Sequence, residues 1–171
     1  MKGMVQVYTG NGKGKTTAAL GLAFRAAGVE MKTYIAQFAK GMTCSELNSI
    51  AYLQEFVTLK QYGKHTFIKD HPNIDDVECA QKGLKEVENI LKEGKYDVVI
   101  LDEANIAVYF NLFTVEELIH VIHQKKEHVE VIVTGRHAHT ALIEFADLVT
   151  EMKEVKHYYQ KGIIARKGIE S

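Results

Sequence analysis

Apolar residues follow two different periods along this chain. Short runs without alternation, Val98-Val99-Ile100-Leu101 and Val131-Ile132-Val133, read as strands buried on both faces. Longer stretches between them place apolar residues at helical spacing. In chain order the pattern predicts a strand at Met4 to Tyr8, a helix at Ala18 to Ala27 and a strand at Thr33 to Phe38. A helix near Ser45 to Leu53, a strand at Phe56 to Gln61 and a long helix at Ile74 to Lys92 follow. The rest reads as a strand at Asp97 to Leu101, a helix near Val115 to Gln124, a strand at Val129 to Val133, a helix at Ala141 to Ala146 and a last pairing segment from Leu148. Regular β and α alternation with right-handed crossovers predicts an α/β architecture, a three-layer doubly wound sheet.

Composition narrows the partners. At 171 residues and 46% hydrophobic, the chain is long enough for one core, and no linker or repeat suggests a second domain. The balance of 21 Lys and Arg against 22 Asp and Glu lacks the basic excess of a nucleic-acid binder. No apolar run approaches membrane-spanning length, and Cys44 and Cys79 form no framework and no Cys-x-x-Cys spacing. The expectation is a soluble cytoplasmic protein that binds neither nucleic acid nor membrane.

Candidate chemistry lies where strands end. Thr9-Gly10-Asn11-Gly12-Lys13-Gly14-Lys15-Thr16-Thr17 joins the first strand to the first helix. Gly10, Gly12 and Gly14 let the backbone turn its N–H groups inward, Lys15 can reach terminal phosphates, and the Thr16 hydroxyl can ligate Mg²⁺. This triphosphate cradle makes the expected fold a three-layer P-loop (RecA-like) one with a central, mostly parallel sheet. One departure matters: Thr9 stands where the first glycine of the usual motif would, so Gly10 to Gly14 leaves three intervening residues instead of four.

Asp102 and Glu103 end a buried strand at the edge where the cradle opens. An acid there can position Mg²⁺, and a second can orient an attacking water. Alternatively, both simply cap the helix that begins at Ala104. Thr134-Gly135-Arg136 ends another strand on the same edge, and a guanidinium there would offset charge on a leaving polyphosphate. A surface arginine after a strand is the other reading.

These segments together resemble the P-loop ATP:corrinoid adenosyltransferases. The resemblance rests on Thr9 to Thr17, Ile100-Leu101-Asp102-Glu103, Thr134-Gly135-Arg136, Leu148-Val149-Thr150-Glu151-Met152, Val155-Lys156-His157 and the tail Gly162 to Glu170, and it spans nearly the whole chain. It implies transfer of the 5′-deoxyadenosyl group of ATP to Co(I) of cobalamin or a related corrinoid, with release of tripolyphosphate. Catalytic roles would fall to Lys13, Lys15, Thr16 and Arg136. Nucleotide and corrinoid contacts would come from Gly10, Asn11, Gly12, Lys13, Gly14, Lys15, Thr16, Thr17, Arg25, His65 and Phe67. Thr16, Asp102 and Glu103 would hold Mg²⁺, or Mn²⁺ in its place.

His65-Thr66-Phe67 matches an aromatic-Thr-aromatic segment that, by resemblance, faces the corrinoid and helps cobalt shed its lower ligand. Here His65 replaces an aromatic residue with an imidazole that could itself ligate cobalt. Longer family members carry an N-terminal extension over the site, whereas this chain begins just before its first strand, so closure is expected to come from elsewhere or be absent. The resemblance further implies a homodimer and a cobalt-reducing flavoprotein partner. Two other readings of the residues are an ATP-hydrolysing switch subunit with Glu103 as base and a non-catalytic nucleotide-binding module. His120 and His123, His137 and His139 are read as structural because neither pair has a third ligand nearby, and Tyr158 and Tyr159 as packing residues.

Overall fold

A computed structural model describes residues 2–39, 45–63 and 71–170. Six strands form one sheet: β1 (Val5–Thr9), β2 (Thr33–Phe38), β3 (Val57–Tyr62), β4 (Val98–Asp102), β5 (Glu130–Thr134) and β6 (Leu148–Glu151). Their order is β3-β2-β4-β5-β1-β6, and every pairing is parallel. The mostly parallel sheet expected from the sequence is therefore parallel throughout, including the segment from Leu148.

The helices are α1 (Lys15–Ala27), α2 (Ser45–Ile50), α3 (Ile74–Glu93), α4 (Ala104–Tyr109), α5 (Val115–His123) and α6 (Thr140–Phe145). Side chains alternate across each strand and fill two cores. Val7, Ala36, Phe38, Val99, Leu101, Val131 and Val133 pack with Leu84, Val87, Leu91, Leu118 and Ile122 of α3 and α5. Ile35, Val98, Ile100 and Ile132 face the other way, onto Ala19, Ala23 and Ala26 of α1. Alanines at this spacing form a narrow stripe that brings α1 close to the sheet.

Sharp helix ends explain why the boundaries were legible. Asn73 accepts from the Asp76 amide while the Asp76 carboxylate accepts from the Asn73 amide, and Gly94 closes α3 at φ 67°. Thr114 and Glu117 repeat the reciprocal cap on α5. Helix α1 begins at Lys15, three residues earlier than the apolar period indicated, because the cradle runs directly into its first turn.

Candidate active site

The register carries one row of side chains across the carboxyl edge of the sheet. Gln61 on β3 pairs with Gln37 on β2, Gln37 pairs with Asp102 on β4, and Leu101 beside it pairs with Val133. With a side-chain period of two, Gln61, Gln37, Asp102 and Thr134 share the face on which α1 packs. Asp102, only 1% exposed, is the centre of this row. Its Oδ1 accepts from Thr16 Oγ1 at 2.8 Å and from Thr134 Oγ1 at 2.7 Å, and its Oδ2 accepts from Gln37 Nε2 at 3.1 Å. One carboxylate thus ties the cradle helix to the ends of β2, β4 and β5.

Gly10 and Gly14 adopt φ of 94° and 118°, where an L side chain is strained. Gly12 is required by space: a Cβ there would lie 2.6 Å from the Met152 carbonyl oxygen. That oxygen accepts from the Gly12 amide, so the shortened loop is sutured to the segment after β6. Lys15 folds back over the cradle, donating to the carbonyls of Gly10 at 2.7 Å and Gly12 at 2.8 Å. Burial lowers the Lys15 pKa, the Arg136 charge lowers it further, and Glu103 opposes both. Their fields place Arg136 and Glu103 within electrostatic reach of Lys15.

Glu103 takes φ 58° at the start of α4 and makes no side-chain cap bond, so capping does not explain its side chain. A non-glycine residue at such a φ stores local strain of about 1 to 3 kcal/mol. Its amide donates to Thr134 Oγ1 at 3.0 Å, which fixes the β4 turn against β5. Asn105, in the next turn, donates to the Gly135 carbonyl at 3.0 Å and holds the turn that presents the exposed Arg136.

Gly10, Gly12, Gly14, Lys15, Thr16, Asp102, Glu103 and Arg136 are therefore gathered at one edge, with Asn11, Lys13 and Thr17 exposed on the same loop and helix start. Arg25 is not: it lies in the last turn of α1, about 15 Å along the helix axis from Lys15. That distance sets it apart from the cradle edge. His65 and Phe67 lie outside the described residues. Tyr158 does pack, bonded to Glu170 and beneath Arg166, but Tyr159 is 71% exposed, contrary to the packing expectation. His137 stacks on Tyr109 with ring centroids 4.4 Å apart, and His139 accepts from the Ala141 amide at the start of α6. Gln37, Thr134 and Met152 are the site residues whose roles the sequence reading missed. For the first two, the available signal was a polar side chain ending an apolar strand on the Asp102 edge.

A parallel sheet with a glycine cradle on its first strand and an acid ending a central strand defines a P-loop nucleotide-binding protein. Comparison with known proteins carries the assignment further. The family model described as ATP:corrinoid adenosyltransferase BtuR/CobO/CobP matches residues 1–171. A corrinoid adenosyltransferase of Sinorhizobium is 36% identical over 99% of this chain and 80% of its own length. Corrinoid adenosyltransferases of Pseudomonas aeruginosa and Escherichia coli are 34% and 33% identical, again over 99% of this chain and over 84% and 86% of theirs. The chain belongs to the ATP:corrinoid adenosyltransferase family. No helix among the described residues is long and apolar enough to cross a membrane.

Proposed function

We propose that the shortened cradle holds the triphosphate of ATP as a leaving group, while the cobalt of a corrinoid attacks the nucleoside end. Family membership makes ATP and a corrinoid the two substrates. The Co(I) lone pair forms a bond to ribose C5′, the C5′–O bond breaks, and its electron pair departs with tripolyphosphate. Cobalt is thereby oxidised to Co(III), and no protein base is required. Lys15 exchanges the Gly10 and Gly12 carbonyls for phosphate oxygens, and Lys13 and Arg136 add positive charge as the bond breaks. Thr17 and the backbone of Asn11 complete the cradle.

The donor chemistry fits a hard divalent cation. A hydroxyl, Thr16, and a buried carboxylate, Asp102, stand together, to be completed by Glu103, phosphate oxygens and water. Mg²⁺, or Mn²⁺ in its place, would there offset the charge of the departing polyphosphate. The Thr16 proton is committed to Asp102, which leaves the oxygen lone pairs as the cation donor.

The observation that carries this reading is the shared acceptor: Asp102 Oδ1 receives both Thr16 of the cradle and Thr134 of the segment leading to Arg136. The test is product identity. With ATP, Mg²⁺ and chemically reduced cobalamin, the protein should form adenosylcobalamin and tripolyphosphate, and ADP with phosphate as the only products would overturn the reading. The proposal extends to residues 1–171 as one catalytic domain, to His65 and Phe67 as a corrinoid-facing wall, and to a cytoplasmic homodimer served by a cobalt-reducing flavoprotein. Resemblance to the family supports these last points.

A further inference from the structure

Gln37 is fully buried, and its amide is engaged at both ends. Its Oε1 accepts from Gln61 Nε2 at 3.0 Å, while its Nε2 donates to Asp102 Oδ2 at 3.1 Å and, at 3.4 Å, to Glu46 Oε1 of α2. The direction of this chain is fixed by chemistry. A reversed amide would aim a carbonyl oxygen at two carboxylates and leave Gln61 facing a donor. Burying an amide costs free energy unless its bonds are made, so a fully buried glutamine with both ends of its amide engaged calls for a purpose beyond packing.

We infer that Gln37 is a positioning residue that sets the orientation of the Asp102 carboxylate for the metal of the nucleotide complex. Held by Gln37 on Oδ2, the carboxylate keeps Oδ1 toward Thr16 and Thr134. Removing that bond takes the Gln37 donor from Oδ2 and leaves the terminal torsion less constrained, although Thr16 and Thr134 still hold Oδ1. Gln61 in turn holds Gln37, so the alignment of Asp102 depends on a residue one strand further out, at the end of β3. Partners of this outer kind, which orient ligating carboxylates, typically contribute 10- to 100-fold, on the order of that range, in metal affinity. The inference rests on the reading of Thr16 and Asp102 as the metal donors, and its test separates the two.

The experiment measures Mn²⁺ binding to the full chain in the presence of ATP by electron paramagnetic resonance, together with the Mg²⁺ dependence of turnover. Gln37→Leu should weaken Mn²⁺ binding by about 10- to 100-fold. It should raise the Mg²⁺ needed for half-maximal rate by a similar factor, with a smaller fall in kcat at saturating Mg²⁺. Gln61→Leu, which leaves Gln37 in place, should shift both readouts the same way by a smaller factor, and it answers the question should Gln37→Leu not fold. Asp102→Asn serves as the reference for the site itself. Unchanged Mn²⁺ affinity in Gln37→Leu or, failing that protein, in Gln61→Leu, beside a large loss in Asp102→Asn, overturns the role of Gln37 alone. Unchanged affinity in Asp102→Asn overturns the metal site and the inference with it.

Discussion

The amide of Gly12 donates to the carbonyl of Met152 at 2.6 Å, so the middle of the nucleotide loop is hydrogen-bonded to the chain that follows the last strand. The reciprocal contact one turn earlier, from the Met152 amide to the Thr9 carbonyl at 2.8 Å, makes the pairing continuous with β6. A loop one residue off the usual spacing is thereby given a fixed shape before any ligand arrives. The link makes the loop and the stretch from Leu148 to Met152, two of the segments that carry the family resemblance, one structural unit.

Gly12→Ala tests that unit. The new Cβ would meet Met152 O at 2.6 Å and the Lys153 carbonyl carbon at 2.9 Å, both backbone atoms that cannot swing aside. Overpacking of this kind costs about 1 to 3 kcal/mol. Thermal unfolding should fall by several degrees and ATP affinity should drop with it, as read by scanning calorimetry with and without nucleotide. An unchanged Tm would mean that the loop and the segment after β6 are not locked together.

Lys15→Ala should reduce kcat/KM by about 2.7 to 4 kcal/mol, the scale for losing one preorganised donor to a developing negative charge. Because Lys15 also bridges Gly10 O and Gly12 O, the variant should additionally loosen the cradle. Hydrogen exchange at residues 10–14 should quicken while exchange at β4 stays slow. Steady-state kinetics showing near-normal turnover would place the triphosphate elsewhere.

Thr134→Val removes a hydroxyl that both donates to Asp102 Oδ1 and accepts from the Glu103 amide. Leaving such buried partners unmet costs about 1 to 3 kcal/mol. The denaturant midpoint should fall accordingly, and the Mg²⁺ requirement should rise because Asp102 loses one of its anchors. Thr134→Ser, which keeps the hydroxyl, should restore the metal dependence more fully than it restores stability.

Alkaline behaviour follows from a tyrosine pair on the other face. Tyr34 and Tyr62 share a hydrogen bond of 2.7 Å in the core. Burial pushes the Tyr34 hydroxyl from 10.0 up to about 12, and Tyr62 is raised further, chiefly by burial and then by its bond to Tyr34. A folded-state pKa above the unfolded one means the proton is held more tightly in the folded chain. The associated stability is whole below about pH 10 and is lost as the pH climbs through about 12. Tyrosinate absorbance should therefore include a slow component that appears only with unfolding and is absent from the Tyr34→Phe, Tyr62→Phe double variant. All eight tyrosines titrating rapidly in the folded protein would contradict this.

Most of the architecture is legible in the sequence because burial leaves a clear mark on composition. Strand β4 is legible in Val98 to Leu101 because a central parallel strand must be apolar on both sides. Of helix α4 the sequence reading marks only the start at Ala104, not the end at Tyr109. Asp102 and Thr16 could be named from their motifs, but their sharing of one oxygen depends on strand register, which no local pattern encodes. Gln37 was missed for the same reason, since a glutamine ending Thr33–Phe38 has meaning only once β2 lies beside β4.

The strand order also dictates the sequence of events during synthesis. Strand β1 emerges first but lies between β5 and β6, whose residues begin at 130 and 148. On the ribosome the first strand must therefore wait for nearly the entire chain before either neighbour exists, while β2, β3 and β4 can already associate. Such long sequence separations slow folding and prolong exposure of unpaired apolar backbone. The cradle strand therefore gains its neighbours only once residues 130 and 148 have been made, and a chain stopped before residue 148 keeps its cradle on an open edge.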